Sequence, residues 1–380
     1  MKILINIGTN PSGGGSVHII ELLKRFENID TKIKTIVLFA PKSFLDKLDN
    51  KSFLIKKSNF LLNGNAFYKF LWRFIISKYI INEKFDLIFS PFGDFYKKKY
   101  LCLSMSQNML FFEKNETKGF PFFFRLKFYL MGKFQLINFH KSKNVIFLSQ
   151  YASNIILGKK INLSNYRIIN HGISEEFKLK PRIQKDYNDY TSNEKFKILF
   201  LSSIFPYKNL DVLLESFTSV IKEYPNIELI IIGEISIKND ENRYLKLFTS
   251  DNLKNNITYK GFVPHTDIIK FYHTSDLFVF SSTCENMPNI LIEAMSSGLP
   301  ILCSNKEPMN EFILDGAIYY NAKDVNDTIH QLKIAISDTN LRTIKSQLSY
   351  DYSKKYSWNN CANNTFKYME DLISIKKTKI

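Results

Sequence analysis

Short apolar runs recur along the chain, each followed by a polar loop and then by apolar positions at helical spacing. Residues 2–7 read as a strand. A loop containing Gly13, Gly14 and Gly15 follows, then a helix marked by Val17, Ile20, Leu23 and the stretch 24–26. Residues 34–39, 87–90 and 145–149 predict further short strands. Continuous apolar runs alternating with helices belong to a parallel sheet covered on both faces.

Residues 174–195 break this rhythm, being charged and rich in Asn, Asp and Lys, with Pro181 among them. They read as an interdomain linker. A second series then begins, with strands at 197–201, 228–232, 257–260 and 277–281 and helices at 210–223, 266–273 and 288–297. The simplest architecture is α/β: two doubly wound, Rossmann-like domains facing across a cleft, with ligands at the carboxyl ends of the strands. The expected divisions are a first α/β domain over residues 1–173, the linker at 174–195, a second α/β domain over 196–355, and a terminal segment at 356–380. That last segment predicts a helix with Trp358, Ala362, Phe366, Met369 and Ile373 on one side, free to pack back on the first domain.

A length of 380 residues fits two domains, and 45% hydrophobic with 23% charged residues is an ordinary globular mix. The formal charge of +16 suits nucleic acid, an anionic membrane or a phosphate-bearing substrate. No nucleic-acid module is recognisable, which argues against the first. The four cysteines lack CxxC spacing and read as reduced thiols. No run reaches the roughly 18 apolar residues of a membrane span, and residues 1–8 do not resemble a signal peptide. A cytoplasmic location is expected, with room for contact at a membrane face.

The richest local chemistry lies between Cys284 and Pro300. Pro288 suits the first turn of a helix, Gly298 its left-handed cap, and Pro300 its end. Glu285 then sits in the loop after a strand and Glu293 on the helix, flanking a helix start able to receive an anion. The spacing Glu285 to Glu293, with Pro288, Asn289, Leu291, Ala294, Met295, Gly298 and Pro300 around it, resembles the E-x7-E motif of retaining glycosyltransferases of family 4, which have the two-domain GT-B fold. Pro206-Tyr207-Lys208-Asn209 is similar to that family's basic loop, and Tyr259-Lys260-Gly261-Phe262-Val263-Pro264 to its nucleotide-contacting turn. His171-Gly172-Ile173 and the glycine triplet resemble its first-domain segments.

The resemblance implies transfer of a sugar from a nucleotide-diphosphate donor to a glycan, in bacterial surface polysaccharide synthesis such as lipopolysaccharide or capsule. The nucleotide-sugar is a substrate; no cofactor and no metal is implied. Glu285 would bind or polarise the sugar and Lys208 would stabilise the departing diphosphate. Glu293, Ser203, Asn209, Val263, Asn286, Met287, Pro288, Asn289, Gly14 and Gly15 would surround the donor. Many relatives carry Gly-Arg where this chain has Ser202-Ser203, so one expected positive charge is missing. Gln107 and Asn108 would face the acceptor; neither can act as a base at neutral pH. His171 reads as structural or cleft-lining.

Residues 67–81 and 120–139 mix aromatic with basic side chains. They suit an anionic headgroup layer and hence a lipid-linked acceptor, and they equally suit core helices with snorkelling lysines. Two rivals to glycosyl transfer are a sugar-nucleotide epimerase of the same architecture and a non-catalytic binding protein using the basic surface.

Overall fold

The computed structural model describes residues 1–8, 13–80 and 83–378. It holds two compact units: residues 1–112, 123–172 and 357–380 form the first, and 113–122 with 173–356 the second. These divisions differ from the expected ones in two places. Residues 174–195 pack into the second unit: Leu179 N–H donates to Ser296 O (3.0 Å), Arg342 reaches Lys185 O (2.6 Å), and Tyr190 joins the core. Residues 113–122 also belong to the second unit although they fall in the first half of the sequence.

In the first unit, seven parallel strands run in the order β3-β2-β1-β4-β5-β6-β7. They are β1 (Lys2–Asn6), β2 (Thr35–Phe39), β3 (Leu54–Lys57), β4 (Leu87–Ser90), β5 (Cys102–Met105), β6 (Asn144–Phe147) and β7 (Asn165–Ile168). The inner strands are buried on both faces, as their apolar runs require, whereas β3 and β7 mix polar and apolar residues and lie at the edges. Trp72 and Ile76 of helix Ala66–Tyr79 close the core over Leu4, Val37 and Ile88. The C-terminal helix Trp358–Thr378 packs in this unit against helix Gly13–Arg25.

The glycine triplet is the first turn of helix Gly13–Arg25 and not a loop. A first turn has no intrahelical acceptors for its N–H groups, so glycine there costs less than in a helix interior. Gly15 meets a close neighbour: a Cβ on it would lie 2.5 Å from Gln107 Oε1.

His18 on the same helix is completely buried, its ring 4.5 Å from His171 and 6.1 Å from Trp358. Neither ring nitrogen has a hydrogen-bond partner among the described residues. Burial, then the neighbouring His171, holds its pKa well below 6.5. The folded state therefore keeps His18 neutral, and its stability is lost as pH falls below the unfolded value of about 6.5, by up to about 1.4 kcal/mol per pH unit. The melting temperature should drop on acidification from about pH 7.5 to about pH 5, and His18→Phe should flatten that drop. An unchanged pH profile in the variant would contradict this.

The second unit has six parallel strands in the order β10-β9-β8-β11-β12-β13. They are β8 (Phe196–Leu201), β9 (Ile227–Ile232), β10 (Ile257–Gly261), β11 (Leu277–Phe280), β12 (Ile301–Ser304) and β13 (Ile318–Tyr320). Helix Leu210–Val220 buries Leu210, Leu213, Leu214, Phe217 and Val220, the i, i+3, i+4 stripe of a helix laid on a sheet. The strand order reverses between β8 and β11, so the loops leaving their carboxyl ends flank the position where open α/β sheets bind ligands.

Candidate active site

Those two loops carry Lys208 and Glu285. After β8 the chain turns through the single-turn helix Pro206–Lys208, and Asn209 takes a left-handed conformation with φ 51°. The Asn209 side-chain amide donates to Tyr207 O (3.0 Å) and Ser281 O (2.7 Å), tying the loop after β8 to the loop after β11. Ser281 Oγ returns a bond to Lys208 O at 2.7 Å. Asn209, expected at the donor, thus spends its amide on holding the two loops together.

Lys208 Nζ sits 2.5 Å from Glu285 Oε1, which also accepts from Ser282 Oγ at 2.6 Å. The side chains are 9% and 17% exposed, so the pair is screened less than a surface ion pair. The ammonium lies 5.1 Å from the ring centroid of Tyr207 and 5.7 Å from that of Phe280. Burial and the Glu285 charge push the Tyr207 phenol well above its ordinary value, so it stays protonated. A charge held in place here costs no reorganisation when an anion forms beside it.

Glu293 lies on helix Asn289–Ser296, one residue shorter at each end than the spacing predicts; Pro288 is the N-cap and Ser297 lies beyond the last turn. Gly298 has φ +64°, and a Cβ there would lie 2.6 Å from Pro181 N. Glu293 is buried. One carboxylate oxygen is 3.1 Å from His265 Nε2, and the other accepts from Tyr272 Oη at 3.1 Å. Burial and the Glu293 charge raise the Tyr272 pKa well above its ordinary value. Phe177 packs against both His265 and Tyr272. His265 and Tyr272 escape the motif reading, although they stand two turns apart on helix His265–Thr274, directly after the Val263-Pro264 turn.

The remaining candidates divide between the units. In the second, Asn286, Met287 and Pro288, which follow Glu285 in sequence, are buried, and Asn289 is half-buried. Val263 is half-buried after Gly261, and Ser203 is exposed beyond the end of β8. In the first unit, Gln107 and Asn108 follow β5. Gln107 contacts Met105 Sδ (3.5 Å) and borders Gly15, while Asn108 Oδ1 caps its own turn by accepting from Leu110 N–H at 2.9 Å. Gly14, next to Gly15, is half-buried in the first helical turn.

Residues 183–349 match the family model described as Glycosyl transferases group 1. Over this segment the chain is similar to the group 1 glycosyl transferases. The segment contains Lys208, Glu285, Glu293, His265 and Tyr272, so the whole constellation just described lies inside it. The chain is 25% identical over 218 residues to the alpha-monoglucosyldiacylglycerol synthase of Streptococcus pneumoniae, covering 55% of this chain and 48% of that one. It is 28% identical over 171 residues to the O-antigen chain mannosyltransferase B of Escherichia coli, covering 44% of each. It thus spans about half the length of these two curated relatives. An uncharacterized glycosyltransferase of Methanocaldococcus jannaschii is 24% identical, with 98% of this chain and 99% of that one covered.

Among solved structures, HepE of Anabaena in complex with UDP and glucose aligns with a TM-score of 0.71 at 16% identity, covering 98% of this chain and 100% of that one. WaaG, a glycosyltransferase involved in lipopolysaccharide biosynthesis, aligns at 0.73 with 14% identity, covering 97% and 99%. The chain therefore has the GT-B fold of the two-domain glycosyltransferases.

Proposed function

We propose that the protein transfers a sugar from a nucleoside-diphosphate donor, held by the glycosyl transferase domain, to a glycan acceptor in surface polysaccharide or glycolipid synthesis. The observation that carries this reading is the Lys208–Glu285 pair at the strand-order reversal, inside the domain matched by the family model. Lys208 takes up charge as the bond between the sugar's anomeric carbon and the diphosphate breaks, which is when a fixed cation stabilises most. Glu285 aligns the sugar. Glu293, steered by His265 and Tyr272, holds the ribose or sugar hydroxyls. Retention of configuration follows if the acceptor oxygen bonds to the carbon on the face the diphosphate leaves and its proton passes to a leaving phosphate oxygen. That route needs no protein base, in keeping with Gln107 and Asn108 on the acceptor side. It uses Lys208 in place of a metal ion.

The relatives and neighbours support this reading through their own names: a mannosyltransferase, a glucosyldiacylglycerol synthase, and a protein seen with UDP and glucose. Incubation with UDP-, GDP-, ADP-, dTDP- and CMP-sugars, with and without glycolipid extract, tests it. Nucleotide release with sugar appearing on the extract is expected. Conversion of a donor into another sugar nucleotide without an acceptor would replace it by the epimerase reading.

A lipid-linked acceptor at an anionic membrane is favoured by the surface of the first unit. Among the described residues, no helix is long and apolar enough to cross a membrane. On helix Ala66–Tyr79, Phe67, Phe70 and Phe74 form an exposed stripe opposite the buried Trp72 and Ile76. Helix Phe122–Ser142 exposes Phe123 (81%), Leu130 (57%), Arg125 and Lys127 over its first turns. The Arg73 guanidinium bridges the two helices, 5.9 Å from the Phe70 ring and 5.2 Å from Phe134. Interleaved cations and aromatic rings suit a headgroup layer. Of the expected surface, Phe120 is not part: it lies in the second unit against Phe205 and Tyr207. Ile81 lies outside the described residues. Wild-type protein should sediment with phosphatidylglycerol vesicles more than with phosphatidylcholine vesicles, and Phe67→Ser with Phe123→Ser should remove most of that binding. Equal sedimentation with both vesicles would refute it.

A further inference from the structure

Residues 113–122 follow the acceptor-side loop of the first unit in sequence, yet they are built into the second. Their single-turn helix Lys114–Thr117 packs on Pro206–Lys208. Gly119 lies so close that a Cβ there would meet Pro206 Cβ at 2.6 Å, and the Phe120 ring stacks 6.2 Å from that of Tyr207. At the centre is Glu116, whose side chain is 5% exposed. Its carboxylate accepts from Lys323 Nζ at 2.8 and 2.9 Å and from Thr283 Oγ1 at 2.5 Å. Thr283 N–H in turn donates to Tyr207 O at 2.9 Å, next to Lys208.

One short segment therefore grips both loops that carry the ion pair. An apolar side chain could fill the same space without the desolvation cost of a buried carboxylate. The carboxylate adds direction: two charge-assisted bonds from Lys323 fix it, and the third fixes Thr283, which adjoins Ser282, the hydroxyl bonded to Glu285. Burial, then the charge of Glu285, pushes the Cys284 thiol well above its ordinary value, and the Glu116 carboxylate adds to the shift.

We infer that Glu116 is a positioning residue for sugar transfer: through Thr283 it holds the turn that sets Glu285 against Lys208. This rests on the glycosyltransferase reading, but one of its consequences does not. Cys284 lies between Thr283 and Glu285 and is buried, as are Cys102, Cys303 and Cys361. Releasing the turn should expose Cys284 alone.

The test compares wild type with Glu116→Gln, Thr283→Val and the double variant. Iodoacetamide labelling of each cysteine is followed by peptide mass spectrometry, and donor turnover is measured alongside. Thr283→Val removes one hydroxyl and keeps every charge, so it reports the clamp without altering the field at the thiol, and it carries the test alone if Glu116→Gln does not fold. Cys284 labelling is expected to quicken by about fivefold or more, with the other three cysteines unchanged, as for a local opening. Turnover should fall by about 10- to 100-fold with donor KM nearly constant, because a misplaced catalytic group lowers kcat without loosening binding. The double variant should match the worse single one. Faster labelling of all four cysteines, or unchanged Cys284 labelling in Thr283→Val, would overturn the inference. Should wild type turn over no donor at all, the enzymatic reading falls while the labelling still decides whether the clamp exists.

Discussion

Lys208→Ala is expected to lower sugar transfer by about 10²- to 10³-fold while the protein remains folded. The Lys208 side chain is 9% exposed and its ammonium lies near two aromatic rings, so water has little room to replace its charge. Its partner Glu285 keeps the Ser282 hydroxyl as a donor but loses its counter-charge. A stability loss of about 1–3 kcal/mol should accompany the rate loss, the usual result when a partly buried charged group loses its partner. Rates must therefore be compared per folded molecule, with circular dichroism as the control. Lys208→Arg should recover only part of the rate, because the guanidinium fork does not occupy the place of a compact ammonium. Near-normal turnover in Lys208→Ala would remove this residue from the mechanism.

Glu285→Gln should have two effects of opposite sign. The amide can still accept from Ser282 but no longer neutralises Lys208, so the ammonium becomes fully available to a nucleoside diphosphate. Free nucleotide should bind more tightly, by up to about tenfold or 1.4 kcal/mol. Turnover should nevertheless fall by about 10²-fold or more, because the carboxylate proposed to align the sugar is gone. Such a split separates a group used in the reaction from one used only for binding. Calorimetry for the nucleotide and initial rates for transfer check the two halves independently. Weaker nucleotide binding together with unchanged turnover would contradict the role given to Glu285.

The alternation of apolar runs and helices made both parallel sheets legible because inner strands such as residues 87–90 and 277–280 are buried on both faces and read as unbroken apolar stretches. The edge strands at 54–57 and 165–168 face solvent on one side, and their Lys, Asn and Arg residues hide them in a polar background. Strand β12, 4 residues long, follows the motif helix too closely to stand out, and β13 is a 3-residue strand at the edge of its sheet. At the site, Glu285 and Lys208 were readable because each sits in a short run of distinctive neighbours. The burial of Glu293 was not, since it depends on Tyr272 and His265 arriving from another helix. Glu116 carried no local signal whatever: its partners Thr283 and Lys323 are 167 and 207 residues away. The glycine triplet reads as a loop by composition, and the start of a helix was the one regular setting in which it could be accommodated.

The central claim is that the second unit binds a nucleoside diphosphate through Lys208. Thermal unfolding of wild type and Lys208→Ala, with and without saturating UDP, GDP, ADP, dTDP and CDP, tests it most directly, because a ligand of the folded state raises the melting temperature by mass action. A rise with at least one nucleotide in wild type, lost in Lys208→Ala, is the expected result and names the donor base. No rise with any of the five, or the same rise in both proteins, would contradict the account.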